Sequence, residues 1–151
     1  MEFMQLLTPA LCFAKIQGRS QKRIFETLAK EIADTHKDLS YADIFDALSA
    51  REKLGSTGLG EGVAIPHCRI DYEGSSIAAV VSLAEGIGFD APDQKPVDLL
   101  VFLLVAGEAN QEHLNTLATL AKALSEESNR HALRDAKTND KLFSTLASCI
   151  S

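Results

Sequence analysis

Residues 55–67 read GSTGLGEGVAIPH, and the elements predicted on either side are arranged around this stretch. Four glycines fall within its first eight residues, and glycine in such numbers is used where the backbone needs a positive φ or approaches another group closely. The spacing differs from the GxGxxG dinucleotide-binding fingerprint, and no G-K-[ST] sequence follows as it does in a P-loop. The residues alone leave two interpretations: a tight connection from a helix to a strand, or a loop whose amides converge on an anion.

The sequence before this stretch predicts a short strand and two helices. Residues 11–17 are predicted to form the strand, after an N-terminal turn that ends near Pro9. Ser20 is of the residue type preferred at an N-cap, and Ser40, with an aspartate three residues later, resembles a capping box. Gly55 is predicted to end the second helix. The apolar residues that follow the two caps at helical spacing are Ile24, Phe25, Leu28, Ile32, Ile44, Phe45 and Leu48.

The sequence after it predicts two buried strands and three helices. Residues 77–83 and 97–105 are almost continuously apolar, which is typical of strands in a sheet covered on both faces. Residues 86–93 are predicted to be a turn-rich connection between them, and Asn110 to cap the next helix. That helix has the apolar stripe Leu114, Leu117, Leu120, Ala121 and Leu124, and shorter helices are predicted around residues 130–135 and 140–149. The order of elements predicts an α/β fold, a small sheet with helices on both faces.

Length and composition are those of one ordinary globular domain spanning residues 1–151. The chain is 46% hydrophobic and 24% charged, without a repeat or a linker. A net charge of −6 argues against binding to nucleic acid or to an anionic membrane. The longest apolar run, residues 99–106, is too short to span a membrane, and the N-terminus lacks the basic start of an export signal. The three widely spaced cysteines indicate reduced thiols, so we expect a cytoplasmic protein.

Arg51 is a candidate anion-binding residue near the end of the second predicted helix. It lies seven residues after Ile44 and three after Leu48, so it falls close to the apolar stripe. An unpaired charge in that position would be costly. Two interpretations remain open: a salt bridge or a side chain that reaches out to water, and a guanidinium directed at an oxyanion such as phosphate.

Two of the four histidines are candidate functional residues. His67 follows Pro66 and the glycine-rich stretch, and the residues alone allow a structural or a functional interpretation equally. His113 lies in line with the apolar stripe in the first turn of its helix, where the positive end of the helix dipole disfavours a protonated ring. His36 and His131 are interpreted as surface residues.

The spacing of the histidines and cysteines gives little support to a metal site or to a cysteine nucleophile. His67 and Cys68 are adjacent and would point in different directions, and no ligand spacing joins them to His113. A nucleophilic Cys–His pair around Cys68 is equally unspecific. We therefore predict neither a metal nor a cofactor.

Residues 51–60 (REKLGSTGLG), running into residues 63–67 (VAIPH), resemble the active-site signature of enzyme IIA proteins of the fructose/mannitol class in the bacterial phosphotransferase system. The resemblance is greatest to the nitrogen-regulatory branch, enzyme IIA-Ntr (PtsN-like). Residues 89–93 (FDAPD), 96–100 (PVDLL) and 113–114 (HL) are similar to the family's second half, so that nearly the whole chain is covered. After the histidine, this chain has cysteine and arginine where the family commonly has glycine and lysine.

The resemblance implies a phosphohistidine carrier. Family members accept a phosphoryl group from HPr, or from its nitrogen-branch equivalent, on the histidine that closes the Ala-Ile-Pro-His stretch. That histidine is His67 here, and Nε2 is the nitrogen expected to react. Arg51 and His113 match the family's phosphate-facing arginine and its second histidine, and the family fold is a mixed sheet flanked by helices on both faces. The residues expected to support the phosphate loop are Ser56, Thr57, Gly58 and Gly60.

Three functions remain open at this point. The first is a free-standing regulatory phosphocarrier whose two phosphorylation states bind target proteins differently. The sequence of residues 51–60 favours this function. The second is the soluble subunit of a fructose- or mannitol-type sugar permease. The third is a non-enzymatic sensor that uses the same pocket for a small anion.

Overall fold

A six-stranded sheet forms the centre of the computed structural model, which describes residues 3–107 and 111–150. After a 3₁₀ turn at Phe3–Gln5, the strands are β1 (Leu7–Ile16), β2 (Gly58–Gly60), β3 (Val63–Ala64), β4 (His67–Ile70), β5 (Ile77–Ile87) and β6 (Val97–Ala106). The helices of the described residues are α1 (Gln21–Thr35), α2 (Tyr41–Leu54), α3 (Gln111–Ser125), α4 (Glu127–Asp135) and α5 (Asn139–Ile150).

The sheet is mixed, and β6 lies inside it. The strand order is β1-β5-β6-β3-β2, and β4 also pairs with β6. β5 runs antiparallel to β6, whereas β1 is parallel to β5, and both β3 and β4 are parallel to β6. Val63 in β3 is opposite Leu99, and His67 in β4 is opposite Leu103. The two short strands therefore follow one another along a single edge of β6, separated only by the Ile65-Pro66 step.

Helices cover both faces of the sheet, which explains the almost continuous apolarity of β6. Successive side chains of a strand point to opposite faces. Leu100, Phe102 and Leu104 pack in the core that contains the buried residues of α1 and α2. The residues between them, Leu99, Val101 and Leu103, pack in a second core with α3, α4 and α5. The predicted α/β fold, with a small mixed sheet between two helical layers, is confirmed.

The first two helices begin where the sequence predicts. The Ser20 and Ser40 hydroxyls each accept a hydrogen bond at 3.1 Å from the backbone N–H three residues later. Gly55 is the C-cap of α2, as predicted. The predicted inward residues of the two helices are buried, except that Phe45 is only partly covered.

The limits of two strands differ from the prediction. β1 begins at Leu7 and contains Pro9, so the predicted N-terminal turn ends before the strand and not near Pro9. β1 is an edge strand whose register shifts between Leu7 and Cys12, so the missing N–H of Pro9 falls where the ladder is already irregular. β5 continues to Ile87, which makes the connection to β6 shorter than predicted.

The inward face of α3 is also rotated from the predicted stripe. Leu114 is 58% exposed, so its place in the stripe is wrong, whereas Leu120 and Leu124 are buried as predicted. The buried face begins instead with His113, which was predicted to lie in line with the stripe, and with Thr116, a polar residue that the apolar pattern does not include. The predicted cap, Asn110, lies outside the described residues.

Candidate functional site

The glycine-rich stretch begins as a capped helix end. The backbone N–H of Gly55 donates to the Glu52 carbonyl at 3.2 Å, which closes the last turn of α2. Nη1 of Arg51 donates to the Gly55 carbonyl at 2.9 Å. Arg51 is half-buried, as its position beside the apolar stripe predicts, and its guanidinium lies against the backbone at the start of the loop.

Two side chains then fix residues 56–58. The Ser56 hydroxyl donates to the Phe89 carbonyl at 2.8 Å and accepts from the Gly58 N–H at 3.0 Å. The Glu52 carboxylate accepts hydrogen bonds from the Thr57 N–H, at 3.2 Å, and from the Thr57 hydroxyl. Both hydroxyls therefore donate to the protein itself, and their role in this structure is to hold the shape of the loop.

Close packing explains one of the glycines. A Cβ on Gly58 would lie 2.9 Å from Cβ of Ala91, closer than side chains approach in real proteins. The Ser56 bond to Phe89 and the Gly58 contact with Ala91 fasten the loop to the same segment after β5. The sequence predicted that the backbone approaches another group closely here. At Gly58 that group is Ala91 of the protein itself, so no bound ligand is needed to explain the glycine.

The turn between β2 and β3 is fastened from both sides. Glu61 and Gly62 have φ values of 57° and 78°, and the Glu61 N–H donates to Oδ2 of Asp93 at 2.8 Å. That bond, together with one from the Lys95 N–H, lowers the pKa of the Asp93 carboxyl. From α4, Nη2 of Arg134 donates to the Glu61 carbonyl at 2.5 Å. The turn is therefore hydrogen-bonded from both sides at Glu61, which is exposed, and the next residue, Gly62, is buried.

His67 occupies the first position of β4 with a defined ring orientation. The ring is half-buried, and its Nδ1 lies 2.7 Å from the Ile65 carbonyl oxygen. A carbonyl only accepts, so Nδ1 carries the proton in this bond. In a neutral imidazole the lone pair then resides on Nε2. Pro66 lies between the two residues, and its own carbonyl accepts from the Leu103 N–H of β6 at 3.0 Å.

His113 is brought next to His67 by the first turn of α3. The centroids of the two rings are 6.1 Å apart, and their planes are inclined by 59°. His113 is only 8% exposed. Burial, and secondarily the charge of His67, lower the pKa of His113, so the ring is held neutral. A neutral imidazole has one N–H to donate, which suits it to an anionic oxygen beside His67.

The other two histidines differ in how far they are exposed. His131 is 79% exposed, as predicted, whereas His36 is half-buried with its ring 6.3 Å from that of Tyr72, so its surface interpretation is wrong.

Burial raises the pKa of the Cys68 thiol to about 12, which argues against a thiolate nucleophile beside His67. Arg69 donates through Nε to the Gly107 carbonyl at 3.1 Å. Across residues 3–107 and 111–150, no group of three His, Cys, Asp or Glu side chains is placed to hold a metal ion.

Sequence reasoning did not find the residues that hold the site together. Glu52 and the Ile65 carbonyl act on the glycine loop and on His67, and Asp93 and Arg134 act on the β2–β3 turn. The only signal available for Glu52 was its position next to Arg51 in the quoted stretch. A backbone carbonyl gives no signal in a sequence at all, because every residue has one.

Exposed apolar side chains accompany the site. Leu54 at the end of α2 is 85% exposed, Leu59 in β2 is 47% exposed, and Leu114 directly follows His113. Single exposed leucines are common, but these three lie on the elements that carry the candidate site residues.

None of the helices within the described part of the chain has the length and apolarity needed to cross a membrane.

Comparisons with known proteins agree on one family. The model of the phosphoenolpyruvate-dependent sugar phosphotransferase system EIIA 2 family matches residues 5–149. A nitrogen regulatory protein of Pseudomonas aeruginosa is 44% identical over 139 residues, which is 92% of this chain and 90% of that protein. A fructose-specific EIIA component of the phosphotransferase system from Haloferax volcanii is 37% identical over 105 residues, covering 70% of this chain and 68% of that one. The crystal structure of nitrogen regulatory protein IIA-Ntr from Neisseria meningitidis has a TM-score of 0.88 at 39% identity, covering 95% of this chain and 98% of its own.

Proposed function

The chain belongs to the EIIA 2 family of the phosphotransferase system, and we propose that it is a phosphohistidine carrier of the nitrogen-regulatory type. It accepts a phosphoryl group on Nε2 of His67 from an HPr-type carrier. The two phosphorylation states then bind target proteins differently. No cofactor is required, because the donor protein brings the phosphoryl group already activated as a phosphohistidine.

The observation that supports this proposal is the hydrogen bond from Nδ1 of His67 to the Ile65 carbonyl, at 2.7 Å. It leaves the Nε2 lone pair to attack the phosphorus of the donor in line. The new Nε2–P bond forms as the donor's N–P bond breaks, and the donor imidazole keeps the electron pair of the broken bond. The His67 ring gains positive charge in this step, and the carbonyl that accepts from Nδ1–H stabilises it. Phosphoryl transfer asks little more of a protein than positioning and charge stabilisation.

The other candidate side chains have proposed roles around the phosphoryl group. A guanidinium has five N–H donors, and the bond from Arg51 to Gly55 uses one of them, so Arg51 retains donors for an arriving phosphoryl group. His113, held neutral beside His67, donates a single hydrogen bond. Ser56, Thr57, Gly58 and Gly60 support the loop by keeping its backbone in one shape.

The donor docks on the exposed leucines of the elements that carry the candidate site residues. Leu54, Leu59 and Leu114 offer an apolar contact for a protein, and the net charge of −6 favours a carrier with a basic face. Docking on a surface of this kind places the donor's phosphohistidine against a half-buried ring without requiring a deep pocket.

The test is phosphorylation in vitro, followed by intact mass spectrometry. Wild-type protein is incubated with phosphoenolpyruvate, the first enzyme of the system and the carrier. We expect the mass of one phosphoryl group, lost in acid and kept in alkali, and we expect none with His67→Ala. His131→Ala, which removes an exposed histidine, is the matched control and should be labelled normally. No labelling of the wild type would leave the small-anion sensor as the better proposal, and labelling of His67→Ala would move the acceptor elsewhere.

A second candidate function has one observation in its favour. The fructose-specific relative at 37% identity suggests that this chain, too, passes its phosphoryl group to a sugar permease. Phosphorylated protein would then transfer rapidly to the IIB domain of a fructose or mannitol permease. We expect slow or no transfer, since the relative with the larger coverage, at 44% identity, is a nitrogen regulatory protein.

A further inference from the structure

We propose that Glu52 is a positioning residue for His67, acting through Thr57 and Ile65 to fix which ring nitrogen carries the proton. The inference rests on the proposed function, in which Nε2 of His67 is the nucleophile. Glu52 has no contact with the ring itself among the hydrogen bonds of the structure. It lies at the far end of a chain of hydrogen bonds that terminates on Nδ1.

The first link is the double hydrogen bond between Glu52 and Thr57. The carboxylate accepts from the Thr57 N–H through Oε2, at 3.2 Å, and from the Thr57 hydroxyl through Oε1. Hydrogen bonds to an ionised acceptor are stronger than neutral ones, and two at once fix orientation as well as distance. Thr57 is only 5% exposed, so little water is available to replace the lost partner if Glu52 is removed.

The second and third links run through the backbone. The Thr57 carbonyl accepts from the Ile65 N–H at 3.1 Å, and the Ile65 carbonyl accepts from Nδ1 of His67 at 2.7 Å. Ile65 is 4% exposed. The proline that follows confines Ile65 to extended backbone conformations, so that fixing its N–H also restricts where its carbonyl points. A movement of Thr57 is therefore transmitted to the acceptor of the histidine proton.

The protonated nitrogen decides whether His67 can react. The hydrogen bond made by one ring nitrogen determines the protonation of the other. When the Ile65 carbonyl is in place, Nδ1 holds the proton and Nε2 has its lone pair. When the carbonyl turns away, the proton moves to Nε2 in part of the molecules, and a protonated Nε2 in a neutral ring has no lone pair for phosphorus.

The tautomer of His67 is a readout that a merely structural role of Glu52 would leave unchanged. It is measured in the unphosphorylated protein, labelled with ¹⁵N-histidine, from long-range proton–nitrogen correlations at a pH where the ring is neutral. The wild type should show a proton on Nδ1. Glu52→Ala should shift the population toward the Nε2–H form and slow single-turnover transfer by about tenfold. Glu85→Ala, which removes an exposed carboxylate of β5, is the matched control and should match the wild type in both.

Two further variants keep the test decisive if Glu52→Ala is poorly folded. Glu52→Gln retains an oxygen for the Thr57 N–H and should restore most of the wild-type tautomer and rate. Thr57→Val keeps the N–H bond to Glu52 but loses the hydroxyl, so it should lie between the wild type and Glu52→Ala. A wild-type tautomer in Glu52→Ala, or in Thr57→Val where the alanine variant fails to fold, overturns the proposal whatever the transfer rate. Because the tautomer is read without any donor, this failure is distinguishable from a failure of the wild type to become phosphorylated.

Discussion

The Arg51 guanidinium has one observed and one proposed role, capping the Gly55 carbonyl and binding phosphoryl oxygens. A conservative substitution distinguishes the two roles. In the unphosphorylated protein it caps the Gly55 carbonyl, a bond that lysine can also make. Only arginine offers a planar fork for two phosphoryl oxygens. Arg51→Lys should therefore leave the fold intact and slow phosphoryl transfer by about ten- to a hundredfold, the loss of one charge-assisted hydrogen bond in the transition state.

The measurement is single-turnover transfer from a labelled carrier, with thermal melts of each variant. Lys53→Arg, the reverse exchange at an exposed position of the same helix turn, is the control and should transfer at the wild-type rate. His113→Ala should cost less than Arg51→Lys, because a neutral imidazole contributes one weaker bond. Normal transfer by Arg51→Lys would restrict Arg51 to capping the loop.

Burial of His113 has a consequence for stability that can be measured without a donor. Its pKa is lowered from the ordinary 6.5, first by burial and then by the charge of His67. Between the folded and unfolded pKa values the unfolded chain binds more protons, so stability rises with pH in that window. The wild type should lose stability as the pH falls below about 6.5, and His113→Gln should show a shallower dependence.

Urea unfolding at several pH values between about 5 and 8 gives the two slopes. His131→Gln, which removes an exposed histidine, is the control for losing a histidine as such. Equal slopes for the wild type and His113→Gln would mean that His113 titrates alike in the folded and unfolded states.

At the scale of single residues, the sequence predicted the candidates but not their contacts. His67, Arg51 and His113 were singled out by position and by resemblance, and the structure places the two histidine rings 6.1 Å apart. The bond from His67 to the Ile65 carbonyl, and the Glu52 contacts behind it, depend on the path of the backbone. Residue types and spacings do not contain that path.

How well the secondary-structure elements can be predicted from the sequence depends on their length. α1 and α2 have caps and several turns of periodic apolar residues, so their starts were predictable. β2, β3 and β4 contain three, two and four residues, too few for an alternating pattern to be recognised. At the glycines the sequence therefore left a helix-to-strand connection and an anion-binding loop open, and it did not predict the strand order around His67.

The packing of the glycine loop on the segment after β5 leads to a prediction about that element. A methyl group on Gly58 would meet Cβ of Ala91 at 2.9 Å and its Cα at 3.1 Å, so Gly58→Ala must push the two segments apart. We expect a loss of about 1–3 kcal/mol in the free energy of unfolding, as for other overpacked sites. Gly88→Ala is the matched control, because its added Cβ would have no atom within 4 Å.

Equilibrium unfolding in urea measures both glycine variants, and Gly88→Ala should stay within about 0.5 kcal/mol of the wild type. Transfer by Gly58→Ala should also be slower, since the same movement displaces Ser56 and Thr57. An unchanged stability would show that the loop can shift away from Ala91 at no cost.

On the scale of the whole molecule, β6 explains why two distant histidines meet. β4 is parallel to β6 and places His67 opposite Leu103, toward the carboxyl end of the strand. α3 follows β6 in the chain and carries His113 in its first turn. Both rings thus lie at one end of one strand, a position where α/β proteins commonly place their sites. The sequence predicted β6 but not β4, so it did not predict this convergence.

The charge of the whole molecule leads to the last prediction, which concerns the encounter with the carrier. A net charge of −6 attracts a partner with a basic docking face, and such steering acts over the Debye length, about 30 Å at 0.01 M salt and about 3 Å at 1 M. With subsaturating carrier, transfer should slow by about tenfold or more over this range, because encounter limits the rate. With saturating carrier the rate should change little, since the roles proposed for Arg51 and His113 act at short range on a bound group. The two regimes are compared by rapid-quench transfer from labelled carrier, with sucrose at matched viscosity as the control for slower diffusion. A rate that is independent of salt at subsaturating carrier would mean that the exposed leucines, and not the net charge, govern docking.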